Sequence, residues 1–100
     1  MKKLPPKFSL NVFGQRVSVS VVKNLALHYG AVGQYNPTEK SIQLEENQSR
    51  DEMTRSLIHE ACHSMCHRVG LSQSISRELE EILCEGVSNL IFENFKLELK

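Results

Sequence analysis

Residues 49–70 read SRDEMTRSLIHEACHSMCHRVG, and this stretch decides how the chain is read. Ser49 followed by Glu52 has the spacing of a capping box. Met53, Leu57, Ile58, Ala61, Met65 and Val69 then recur at helical intervals until Gly70 stops the run. The stretch is therefore expected to be a helix, and it carries HExxH at His59-Glu60-Ala61-Cys62-His63. Imidazoles four residues apart lie on one helix face, about 6 Å apart along the axis, so His59 and His63 can reach a single metal ion. Glu60, between them, is placed to take a proton from water that such an ion has acidified.

On the N-terminal side the periodicity is that of strands. Residues 8–13 and 15–22 alternate apolar and polar side chains around Gly14-Gln15, with Phe8, Leu10 and Val12 in one run and Val17, Val19 and Val21 in the other. That pattern predicts a hairpin. Residues 23–30 fit a short helix or a connection. Residues 31–36 and 41–45 predict another strand pair around the turn signal Asn36-Pro37-Thr38-Glu39. On the C-terminal side, a loop through Ser72 and Ser74 leads to a second helix near 75–96, whose apolar stripe is Leu79, Leu83, Val87 and Leu90. The expectation is a single α+β domain over 1–100: a small antiparallel or mixed N-terminal sheet, the HExxH helix, and a second C-terminal helix.

A chain of 100 residues, 40% of them hydrophobic, has a core only just sufficient to fold without help, and a bound metal would add stability. Twelve basic and twelve acidic residues cancel. The composition thus gives no electrostatic reason to expect nucleic acid or an anionic membrane. The start, Met-Lys-Lys-Leu-Pro-Pro-Lys, has no apolar run after its basic residues, and no stretch approaches the length of a membrane span. The expected location is the cytoplasm. Cys62, Cys66 and Cys84 are an odd number and fit reduced thiols better than a disulfide framework.

A catalytic zinc site has three protein ligands and leaves a position for water, so the two histidines need a partner. Glu85, in Glu85-Gly86-Val87-Ser88-Asn89, is the first candidate, and Glu81, one turn earlier, is the alternative. On a helical wheel both motifs border their apolar stripes: His59 and His63 on the first helix, Glu85 and Asn89 beside Ile82 on the second. Asn89 lies where its carbonyl can accept the free ring N–H of a histidine. Glu78 and Glu80 read as surface charge near a helix N-terminus.

HExxH followed after a loop by a helical ExxS(D/N) resembles the gluzincin zinc metallopeptidases. That resemblance implies that His59, His63 and Glu85 bind Zn²⁺, that Glu60 is the general base, and that Asn89, replacing an Asp, orients a histidine. The layout is also similar to compact phage and bacterial proteins related to the ImmA/IrrE peptidases. The resemblance covers roughly residues 31–95. It further implies that an edge strand, here Ser41 to Glu45, lies along the cleft and pairs with an extended peptide. The larger gluzincins carry an additional His or Tyr that stabilises the oxyanion, and no residue follows the second helix to supply one.

His67 extends the motif to HExxHxxxH, but it lies about 12 Å along the axis from His59, too far for one ion to hold both. It reads as a surface or supporting residue. Cys62 and Cys66 are weighed as ligands and read as small buried residues. Of His28, Tyr29 and Tyr35, Tyr35 is the preferred oxyanion candidate. Two functions are expected from these residues: a zinc-dependent peptidase acting on a peptide or protein substrate, or a zinc-binding interaction module of phage or bacterial origin with little proteolysis. A SprT-like protein acting on DNA-bound substrates would carry a basic surface or a zinc ribbon, and neither is evident.

Overall fold

The computed structural model describes residues 4–99; the basic start at Met1 to Lys3 lies outside them. Strand β1 (Lys7–Val12) and strand β2 (Gln15–Val22) pair antiparallel with Val12 opposite Gln15. Their turn is Phe13-Gly14, with φ of 48° and 80°, the two consecutive positive angles of the tight hairpin turn whose twist matches its strands. The turn is thus one residue earlier than the alternation suggests. A short helix, α1 (Leu25–Tyr29), follows and ends at Gly30 in the left-handed region.

Strands β3 (Gly33–Asn36) and β4 (Ser41–Glu45) form the second antiparallel pair. Asn36 Oδ1 closes their turn by accepting the N–H groups of Thr38 and Glu39 at 2.9 and 3.1 Å. The sheet order is β1-β2-β4-β3, and β2 runs parallel to β4, so the sheet is mixed. Here the expectation for Ser41 to Glu45 is corrected: β4 is an interior strand, and the edge is β3. Ile42 and Leu44 are fully buried, and burying both faces and both edges of β4 requires a neighbour on each side.

Helix α2 (Arg50–Arg68) starts with the expected capping box. Ser49 accepts the Glu52 N–H, and the Glu52 carboxylate accepts that of Ser49. Its Met53 and Leu57 close the core formed by Val17, Val19, Ile42 and Leu44. A 3-10 turn at Leu71–Gln73 leads to helix α3 (Arg77–Asn94), capped by Ser76. Helix α3 does not bury the stripe read from its sequence. Leu79 and Leu90 are 50% and 62% exposed, and the buried residues are Glu80, Cys84 and Ser88. The reason lies in the partner surface: α2 offers Cys62 and Cys66 together with two imidazoles, which suit small side chains and carboxylates better than leucines. No described helix is long and apolar enough to cross a membrane.

Candidate metal centre

The two imidazoles of α2 face α3, and α3 answers with three glutamates. His59 Nε2 lies 2.7 Å from Glu81 Oε1, and His63 Nε2 lies 2.9 Å from Glu81 Oε2. The two Nε2 atoms are 3.2 Å apart. The opposite ring nitrogens are held as well: His59 Nδ1 is 2.9 Å from Glu85 Oε2, and His63 Nδ1 is 2.6 Å from Glu80 Oε2. Each carboxylate has its own support. Asn89 donates its amide N–H to Glu85 at 3.3 Å, and the Ser72 hydroxyl donates to Glu80.

This geometry distributes the roles differently from the sequence reading. Glu81, not Glu85, reaches both Nε2 atoms, and His59, His63 and Glu81 form a group whose ligand atoms lie within 4.8 Å of one another. Glu85 faces the Nδ1 side of His59, and Asn89 bonds Glu85 rather than a histidine. Glu80, read as surface charge, is buried. The signal for it was present: Glu80 sits four residues before Cys84 and eight before Ser88, the spacing of the face that α3 actually buries.

The donor set explains why a cation fits. Each ring faces a carboxylate at both nitrogens, and in the tautomer that carries its proton at Nδ1 the ring presents a lone pair at Nε2. In that tautomer two lone pairs and the Glu81 carboxylate face one another within 4.8 Å, an arrangement that a shared positive charge stabilises. Nitrogen and oxygen donors of this kind suit borderline divalent ions.

Glu60 is buried on the sheet-facing side of α2, under β3. A Cβ added to Gly33 would stand 3.2 Å from Glu60 Cγ and 3.5 Å from Oε2, so the lack of a side chain at Gly33 makes room for this carboxylate. Burial raises the Glu60 pKa above its ordinary value, against the opposing pull of His59 and His63. Burial also acts upward on Glu80, but the hydrogen bonds from Ser72 and His63 outweigh it and hold that carboxylate below its usual range.

The other candidates separate from the site. Tyr35 is half-buried on β3, its ring 5.5 Å from that of exposed His67. His28 and Tyr29 pair with each other at 6.4 Å, and both are exposed. The three cysteines are free and buried, and burial raises the pKa of Cys66 and Cys84. A cleft of about 300 Å³ lined by Leu4, Pro6, Val21, Glu46 and Met53 lies near the start of α2 and contains none of the imidazoles. Converging ligand atoms mark the site here better than volume does.

No protein-family model matches the chain, and neither a curated protein nor a solved structure does.

Proposed function

We propose that the chain is a zinc-dependent peptidase of zincin type, in which His59, His63 and Glu81 hold the ion. The observation that carries this reading is the convergence of both Nε2 atoms on one carboxylate while Glu85 and Glu80 fix the Nδ1 sides. The ligand and orienting roles that the resemblance placed on Glu85 and Asn89 then fall one helical turn earlier, on Glu81 and Glu85. Zinc bound there supplies Lewis acidity toward a water molecule and a scissile carbonyl.

The chain's own residues do the rest. Glu85 and Glu80 keep each ring in the tautomer that presents Nε2. Glu60 accepts the proton of the attacking water at its carboxylate and passes it to the leaving amine. Its burial makes it a stronger base than an exposed glutamate. Strand β3 has one edge on β4, and its other edge offers backbone groups to an extended peptide.

A second reading, a zinc-binding interaction module with little proteolysis, is favoured by one observation: the ring of Tyr35 packs against His67, so the preferred oxyanion candidate is already engaged. Glu60→Gln separates the two. Under the peptidase reading this variant keeps about one zinc per chain and loses hydrolysis of a peptide library, whereas His63→Ala and Glu81→Ala lose the metal. Glu81→Ala with full zinc content would end the assignment of Glu81. Wild type without zinc after reconstitution would end both readings.

A further inference from the structure

Behind the imidazoles lies a second group of metal-competent atoms. Cys62 and Cys66, one turn apart on α2, meet Cys84 of α3, with the three sulfurs within 4.8 Å of one another. Cys66 and Cys84 are fully buried and Cys62 is 7% exposed. The surrounding side chains are Met65, Leu71 and Val87. The three thiols thus form a buried sulfur cluster joining the two helices.

We propose that this cluster is a separate site for a soft, low-coordinate metal ion, Cu(I), distinct from the nitrogen and oxygen site formed by His59, His63 and Glu81. Metal–sulfur bonds of about 2.3 Å in a trigonal plane would space the sulfurs about 4 Å apart, so side-chain movements below about 1 Å close the ring. Thiol ligands select soft ions such as Cu(I) and also take zinc. The coordination number decides between these two. Structural zinc requires a fourth ligand; among the described residues the group that holds all three sulfurs includes no histidine or carboxylate, and the side chains packed on it are Met65, Leu71 and Val87. Three sulfurs satisfy Cu(I). The ion displaces a proton from each thiol that binds as thiolate, and no electron moves.

The two sites are neighbours but differ in chemistry. Cys84 also lies within 4.8 Å of donor atoms of His63, an outer ligand, and of Glu80, which holds that ligand's Nδ1 side, so the shared wall of the two sites is α3 from Glu80 to Cys84. Ions are sorted by softness: a borderline divalent ion outside, a soft monovalent ion within.

The test is anaerobic titration of the full chain with Cu(I) against a chromophoric Cu(I) chelator, with X-ray absorption of the loaded, folded, monomeric protein. Wild type and the double variant His59→Ala/His63→Ala are both expected to hold about one Cu(I), with sulfur alone in the coordination shell. Cys66→Ala and Cys84→Ala are expected to surrender the ion to the chelator. Nitrogen or oxygen in the wild-type shell overturns the proposal, as does retention of Cu(I) by both cysteine variants. So does failure of wild type to take up the ion either natively or when refolded with it. The wild-type shell decides the matter even if a cysteine variant does not fold.

Discussion

His63 is held at both ring nitrogens, by Glu80 on one side and by Glu81 on the other. Its orientation is therefore built into the protein before any ion arrives. Loss of a group that orients a metal-binding histidine costs about 10- to 100-fold in affinity, so Glu80→Ala is expected to weaken zinc binding by that factor in chelator competition. Glu85→Ala should weaken it less, because the Glu85 side chain is 57% exposed and water can replace it. Equal affinity of Glu80→Ala and wild type would show that the buried pair has no bearing on the metal. A second carboxylate contributes to the acid limb of stability. Glu45 accepts the N–H of Ala26 at 2.8 Å and that of Asn47 at 2.9 Å, and the Asn47 bond, then that of Ala26, lowers its pKa from the ordinary 4.5. A carboxylate with a depressed folded-state pKa contributes stability that is present above 4.5 and lost as pH falls through the folded value. Denaturant titrations should show wild type more stable than Glu45→Gln at neutral pH, with the gap closing below that point. A gap independent of pH would refute the assignment.

At the level of elements, α3 shows where sequence reading stops. Its existence and its place after α2 were legible from the helical period near 75–96, which is local; the Ser76 cap emerges only in the structure. Its buried face was not. Leu79, Leu83 and Leu90 recur at helical intervals, and so do Glu80, Cys84 and Ser88; only the surface of α2 decides between them. The same ambiguity separates the two candidate glutamates, since Glu81, Glu85 and Asn89 follow one another at intervals of four on one side of the helix. The choice has a measurable consequence. Ile82→Gln and Leu90→Gln, at positions 64% and 62% exposed, should change stability by no more than about 0.5 kcal/mol. Ser88→Leu, at a fully buried position, should cost about 1–3 kcal/mol by overpacking. Denaturation midpoints in the reverse order would mean that the leucine stripe packs inward after all. The limits of α2 matched their reading, because its capping box and the Gly70 stop are decided by neighbours in sequence, but of its expected stripe only Met53 and Leu57 are buried and Val69 is exposed.

For the whole molecule, both strand pairs were legible from their turns, but the parallel join of β2 to β4 was not. Hairpin signals are local, whereas that join depends on burying Ile42 and Leu44 from both sides. The metal-binding half is organised in the opposite way. His59, His63, Glu80, Glu81 and Glu85 all belong to one helical hairpin, α2 to α3, and their contacts involve no strand residue. Bringing them together closes only a short loop, whereas the β2–β4 register must join segments separated by α1 and β3. Under the proposed zinc site, an ion is expected to be captured before the sheet forms, so that its binding energy acts on the folding barrier as well as on the final state. Zinc present from the start of refolding is expected to raise the refolding rate, whereas zinc added to folded chain should only slow unfolding and add about 2.7 kcal/mol at a hundredfold excess over Kd. Stopped-flow refolding with and without the ion makes the comparison, and a rate indifferent to zinc would place the hairpin after the sheet in the order of assembly. For the cell, the first outcome means that metal present during synthesis, rather than only afterwards, sets how fast this protein reaches its native form.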